Sequence, residues 1–295
     1  QVALKNYILI DMKKRIMDKV ERALIDQIGV KPGDGIVVGV SGGADSVSLL
    51  KVIQDLSIKL ELSVHAAHYN HGIRGESADR DSRFVAELCA CLNVPLIIER
   101  GDVPAHAAGH GQTLEQAARE LRYGFLETAR ARFSADYVAV AHHMDDQAES
   151  VLMHLFRGSG LKGLTGMRFK RDRIIRPMLA CRRKEIEEYL NEEGIPYRTD
   201  ETNLVPEATR NRIRLEVIPY IEKHVNSEVI QGIFRMSELI QSDEAYLESL
   251  ACEALNECVS GTGYSAKRLR LLPKPVLSRA IRIALARSGA DQDIE

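Results

Sequence analysis

Gly35-Ile36-Val37-Val38-Gly39-Val40-Ser41-Gly42-Gly43-Ala44-Asp45-Ser46 is an apolar run that ends in a glycine turn and leads into the helically spaced Val47-Ser48-Leu49-Leu50-Lys51-Val52-Ile53. A buried strand, a turn and a helix in that order aim backbone N–H groups and the positive end of the helix dipole at one spot, where an anion binds. Gly42 and Gly43 let the backbone approach a ligand closely, and Ser41 and Ser46 put hydroxyls at the mouth of the turn. Asp45 would repel phosphates unless Mg2+ lay between them, so the string predicts a metal–nucleotide site. The triphosphatase loop G-x-x-x-x-G-K-S/T is excluded, because no lysine follows these glycines. Helix capping by Ser or Asp accounts for one of these residues, not for the whole string.

Working outward, candidate strands at 61–67, 95–99 and 137–141 alternate with helix-like segments at 76–92 and 113–132. That alternation predicts an α/β fold, a doubly wound, Rossmann-like parallel sheet, with its ligand crevice at the carboxyl ends of the strands. Loops starting at 41, 68, 100 and 142 should share this crevice. Ahead of the sheet, residues 1–30 read as an extension followed by a helix over 13–29. A catalytic domain is expected over 31–222, and a smaller all-helical domain over 223–295. Helices are expected at 182–193, 206–223, 227–259 and 275–289, and a further domain is expected beyond the last residues.

The 295 residues, 45% of them hydrophobic, can bury a sizeable core. No apolar run reaches the ~20 residues of a membrane helix, which with the absence of a signal-peptide pattern predicts a cytoplasmic protein without a membrane partner. Five cysteines without C-x-x-C spacing suggest neither disulfides nor a zinc or iron–sulfur site. A net charge of −2 argues against sequence-independent nucleic-acid binding, yet Arg168, Lys170, Arg171, Arg173, Arg176, Arg182, Arg183 and Lys184 concentrate positive charge in the middle third. The sequence leaves the oligomeric state open, a homodimer included.

Four further stretches carry chemistry. Ala141-His142-His143-Met144-Asp145-Asp146-Gln147-Ala148-Glu149 begins where the fourth strand should end. A helix starting there would place His142 and Asp146 on one face, with Asp146 joining Asp45 on Mg2+ and His142 offsetting phosphate charge or moving a proton. Capping of that helix by Asp145 and Asp146 is the plainer alternative. His68-Tyr69-Asn70-His71-Gly72-Ile73-Arg74-Gly75 could hydrogen-bond a base and a phosphate together, so His68 and Asn70 are assigned to the nucleotide and His71 and Arg74 to a second substrate. Glu115, Arg119 and Arg122 share a helical stripe that suits substrate contact or ordinary salt bridging equally. Arg157-Gly158-Ser159-Gly160-Leu161-Lys162-Gly163 follows a helix rather than a strand, so it is no dinucleotide fingerprint. A flexible cationic loop fits it better, with Arg157 and Lys162 facing the second substrate.

S-G-G-x-D-S after an apolar strand resembles the pyrophosphate loop of the N-type ATP pyrophosphatases, the PP-loop family, with all five defined positions matched at Ser41, Gly42, Gly43, Asp45 and Ser46. Taken with the three loops above, Asp200-Glu201-Thr202-Asn203 and Arg210-Asn211-Arg212-Ile213-Arg214, the stretch from about 34 to 222 resembles the tRNA(Ile)-lysidine synthetases. The resemblance implies a C–N ligase that adenylates C2 of the wobble cytidine in the CAU anticodon of tRNA(Ile) and lets the ε-amine of free L-lysine displace AMP. It implies that Ser41, Gly42, Gly43, Ala44, Asp45 and Ser46 hold the pyrophosphate of ATP. It assigns Asp45, His142 and Asp146 to catalysis, Asp45 and Asp146 to Mg2+, and Arg210, Asn211 and Arg214 to holding the RNA or closing the site. The rival readings are a tRNA cytidine thiolase of the same fold, which would need paired cysteines, and a non-catalytic adenine-nucleotide sensor.

Overall fold

The structure, a computed structural model, describes residues 13–72, 76–198 and 209–289. The chain forms two compact units. One takes the chain up to Ser150 together with Met167–Ile230, and the other takes Val151–Gly166 together with the chain from Gln231.

The first unit is organised by β1 (Gly35–Gly39), the strand predicted from the opening stretch. Ile36, Val37 and Val38 are fully buried, and alternate side chains enter opposite cores: Ile36 and Val38 one, Val37 the other. Burial on both faces requires helices on both faces. The first core is covered by α1, a helix over 13–22 that relaxes to π geometry at Ala23–Ile28, and by α2 (Ala44–Leu60), α3 (Glu76–Cys91) and α8 (Arg183–Glu192). The second is covered by α4 (Val103–His110) and α5 (Leu114–Arg132), through Val103, Ala107, Phe125, Leu126 and Ala129. Thr113 and Gln116 close a reciprocal capping box that fixes where α5 begins.

Beside β1 lie β2 (Ser63–Asn70) and β4 (Tyr137–Ala139), both parallel to it, and β3 (Leu96–Arg100) pairs with β2. A hairpin of β5 (Lys170–Arg171) and β6 (Ile174–Ile175) adds to β4, giving the order β3-β2-β1-β4-β6-β5 with β5 alone antiparallel. The chain steps outward from β1 to β3 and then returns to the other side of β1. The strand order therefore reverses between β1 and β4, and the crevice that such a reversal opens lies at their carboxyl ends. Residues 40–43 and 140–143 leave the two strands at that point.

Several elements differ from expectation, α4 among them, which was not read as a helix. The β5–β6 hairpin was read only as basic sequence, because two-residue strands around Asp172, which adopts φ 55°, carry no periodic signal. The helix expected over 206–223 is described from Thr209, where α9 (Thr209–Arg212) passes through a π segment at Ile213–Val217 into α10 (Ile218–His224).

In the second unit α6 (Met144–Phe156), which begins in the first, is followed by α7 (Leu161–Leu164). The long α11 (Val229–Glu257), a β7–β8 hairpin (Val259–Ser260 and Gly263–Tyr264), α12 (Ala266–Leu269) and α13 (Lys274–Arg287) enclose a small core around Ala251, Leu255 and Ala280. Arg279 and Glu244 form a buried ion pair there, Nε to Oε1 at 3.0 Å. No helix among the described residues is long and apolar enough to cross a membrane.

Candidate active site

A cavity of about 410 Å3 opens at the carboxyl ends of β1, β2 and β4, lined among others by Ser41, Gly43, Asp45, Ser46, His68, Asn70, His71, Arg122 and His142. The turn from β1 into α2 holds itself open. Gly42 adopts φ +94°, Ser41 N–H donates to Ser46 Oγ at 3.1 Å, and Ser46 Oγ donates to the Gly43 carbonyl at 3.0 Å. A side chain at Gly42 would be strained by that φ whatever space surrounds it. The Gly42 carbonyl is drawn away to the N–H of Arg198 at 2.9 Å. Gly43 is the N-cap of α2 and contributes no side chain, so the helix N–H groups that follow stay open for an anion.

Asp45 follows in the first turn of α2. Its Oδ2 lies 3.5 Å from Arg183 and its Oδ1 3.7 Å from His143 Nε2, and this buried Oδ1 accepts no hydrogen bond. Burial pushes the Asp45 carboxyl above its ordinary range, against the pull of His143 and Arg183.

Helix α6 starts only at Met144, so His142 precedes it and does not share a helical face with Asp146 as the sequence suggested. The helix is capped reciprocally by the next histidine instead. His143 N–H donates to Asp146 Oδ2 at 3.1 Å, and Asp146 N–H donates to His143 Nδ1 at 3.3 Å. With Nδ1 accepting, Nε2 carries the ring's N–H and lies between Asp45 Oδ1 and Asp146 Oδ2, the latter 3.4 Å away. Asp145 turns outward to cap α8, accepting from Arg183 N–H at 2.9 Å. Burial would raise the Asp146 carboxyl, but His143, His142 and Arg210 outweigh it and hold the group below its ordinary range. One carboxylate is thus biased toward its proton and its neighbour away from one, a divergence typical of functional pairs.

His142 lines the cavity, and its Nδ1 accepts from Arg176 Nε at 3.3 Å. Burial first, and then the charges of Arg176, Arg122 and Arg210, push its pKa down to about 3 despite Asp146. The ring is neutral at pH 7 with its proton on Nε2. It can therefore donate a hydrogen bond to a ligand, but it supplies no positive charge to a phosphate. The folded pKa lies below the unfolded value of about 6.5, so stability is present above that value and lost as pH falls below it. Between pH 6 and 5 the native protein should lose about 1 kcal/mol more than His142→Gln does. Urea midpoints at the two pH values check this, and equal losses would contradict a buried neutral His142.

The other expected residues sort into three groups. His68 and Asn70 face the cavity, but their polar atoms serve the wall. His68 Nδ1 donates to the Val40 carbonyl at 2.8 Å, and Asn70 Nδ2 donates to Ser82 Oγ at 3.1 Å. His71 packs edge-on against Tyr69, Arg122 lines the cavity, Glu115 and Arg119 are exposed on α5, and Arg74 lies outside the described residues. Arg210 and Arg214 grip α6, reaching buried Glu149 at 2.9 and 2.5 Å, and Arg214 also reaches Asp146 Oδ1 at 3.1 Å. Half-buried Asn211 lies between them in sequence. Arg157 and Lys162 belong to the second unit, where Lys162 stands in the helical turn α7 rather than in an open loop.

Arg176, Arg183 and Glu149 were not singled out as site residues. Arg176 and Arg183 appeared in the sequence as members of a charge run, and nothing local to them points at His142 or Asp45. Two of the five cysteines are buried in ways that disfavour the thiolate. Burial raises Cys89 to about 11 and Cys181 to about 12, and both pack in the first core.

Comparison with known proteins agrees with this architecture. The chain is 41% identical to a tRNA(Ile)-lysidine synthase of Clostridium acetobutylicum over 261 residues, 87% of this chain and 56% of that protein. A second enzyme of the same name, from Clostridium tetani, is 37% identical over 262 residues, 88% of this chain and 56% of its own. The chain spans about half the length of the curated relatives it matches. Among solved structures, the tRNA thiolase NcsA of Methanococcus maripaludis superposes with a TM-score of 0.62 at 18% identity, covering 78% of this chain and 80% of that one, a likeness of fold. Residues 12–221, well over half of the sequence, match the model of the PP-loop domain, and with the strand, turn and helix at Ser41–Ser46 this shows that the chain belongs to the PP-loop domain family.

Proposed function

We propose that this chain carries the catalytic part of a tRNA(Ile)-lysidine synthetase, with ATP, the CAU-anticodon tRNA(Ile) and free L-lysine as substrates. The observation that carries the reading is the cavity that brings the Ser41–Ser46 turn, Asp45 and His142 to one wall, in a chain about 40% identical to synthases of that name. In the reaction, O2 of the cytidine attacks the α-phosphorus of ATP and pyrophosphate leaves. The lysine ε-nitrogen then bonds to C2, the C2–O bond breaks, AMP departs with that oxygen, and the amine gives up a proton.

The residues divide this work as follows. The open N–H groups of α2 and the hydroxyls of Ser41 and Ser46 orient the departing pyrophosphate. Neutral His142 donates through Nε2 to an oxygen of the reacting phosphate or base. His143 and Arg183 hold Asp45 in place. The orphaned Asp45 Oδ1 fits Mg2+, and Asp146, with a lone pair left on each oxygen, fits as its second carboxylate. Bound there, the ion would neutralise charge that builds up on the phosphates. We place the catalytic domain at 31–222 and the helical domain at 223–295.

Steady-state release of pyrophosphate and AMP in equal amounts is expected only when ATP, CAU-anticodon tRNA(Ile) and lysine are all present. Release of ADP and phosphate, or full turnover without RNA, would overturn the assignment in favour of another nucleotide enzyme.

A further inference from the structure

We propose that Arg119, Arg122 and Arg176 form a second anion subsite, separate from the Ser41–Ser46 turn, that holds a backbone phosphodiester of the RNA substrate. The inference rests on the reading of the protein as an RNA-modifying enzyme. Arg119 and Arg122 stand on α5 with their guanidinium carbons 5.0 and 5.3 Å from the centre of the Tyr123 ring. Arg176 arrives beyond β6, faces the same tyrosine, and is only 6% exposed.

Three cations around one ring would ordinarily have carboxylates among them. Here Arg176 donates to a neutral imidazole, His142 Nδ1 at 3.3 Å, and to the Arg168 carbonyl at 2.9 Å. Arg122 keeps a buried Nε with no hydrogen-bond partner. The neighbouring acid, Glu120, is turned to Gln112 and His106. None of the three arginines has a carboxylate partner among the described residues. A buried guanidinium without a counter-charge is costly, so the anion that balances it is supplied from outside the chain.

Geometry separates this subsite from the polyphosphate's. The Ser41–Ser46 turn stands at the end of β1 and has its own N–H donors, whereas the arginines come from α5 and from the chain beyond β6. Arg122 and His142, the residue Arg176 holds, line the same cavity as that turn. A phosphodiester at the arginines would therefore set an adjoining base at the cavity mouth, with the planar fork of each guanidinium matched to phosphate oxygens.

The test uses an anticodon stem-loop RNA and ATP as separate probes. Binding of each to the full chain is measured at several salt concentrations, for the native protein, Arg119→Gln, Arg122→Gln and the double variant. The two α5 positions are chosen because they are open enough to change without emptying a core. The double variant should bind RNA at least ~10-fold more weakly, with a log–log salt slope shallower by about 1 to 2. Arg119→Gln, at an exposed position outside the cavity lining, should leave ATP affinity within about twofold, and Arg122→Lys should recover part of the loss. A methylphosphonate at the contacted linkage should weaken the native protein but not the double variant.

Weakened ATP binding with RNA binding intact would overturn the proposal and give the arginines to the nucleotide. Unchanged salt slopes, or a native protein that binds no RNA, would overturn it as well. RNA binding that behaves as expected in a protein that fails to incorporate lysine would leave this subsite standing and remove the proposed reaction instead.

Discussion

Asp45→Asn is expected to slow pyrophosphate release about 10^3-fold, the effect of removing one electrostatic group from a transition state, or about 4 kcal/mol of barrier. Folding should survive the change. Because burial raises the Asp45 pKa, the folded chain holds that proton more readily than the unfolded chain does, and ionising Asp45 costs stability as pH rises. A neutral amide of the same shape removes that cost, so the urea midpoint at neutral pH should be unchanged or higher. Loss of turnover with gain of stability is the pattern of a group held in place for chemistry. Unchanged turnover would reduce Asp45 to a favourable charge in the first turn of α2.

Glu149→Ala should act on stability, and nearly as strongly. The side chain is 1% exposed and accepts from both Arg210 and Arg214, which also touch Asp146. Removing it leaves two guanidinium groups without their shared anion. Breaking a buried pair costs about 3–5 kcal/mol. Arg210 and Arg214 are 37% and 25% exposed, so water recovers part of that and about 2–4 kcal/mol is expected. Urea unfolding measures it, and a loss under about 0.5 kcal/mol, the size of an ordinary surface change, would contradict the role given to Glu149. Turnover should fall too, since the same arginines steady Asp146.

How much of this the sequence discloses depends on how far apart the cooperating residues lie. Strand, turn and helix at Gly35–Ile53 are contiguous, so the phosphate cradle and the alternation of Ile36, Val37 and Val38 between two cores are local properties. Residues 141–149 drew attention for the same reason, yet their internal geometry did not follow. A helix beginning one residue after His143 makes that histidine the cap, places its ring between Asp45 and Asp146, and leaves His142 facing the cavity.

Arg183 meets Asp45 across 138 positions and Arg176 meets His142 across 34. No periodicity spans such distances, so a run of basic residues at 168–184 reads as a charged surface until the fold distributes it. Likewise, Arg210 and Arg214, which the resemblance assigns to holding the RNA or closing the site, anchor α6 through Glu149, a contact across more than 60 positions.

The central claim is that this cavity joins lysine to one tRNA base. Its most direct test is incubation of the protein with radiolabelled lysine, ATP, Mg2+ and unmodified CAU-anticodon tRNA(Ile), followed by digestion and nucleoside analysis. Label is expected in a single modified nucleoside at the wobble position, dependent on ATP and absent with Asp45→Asn. Lysine label that stays out of the RNA while ATP is still cleaved, or sulfur appearing at the same carbon, would contradict the account.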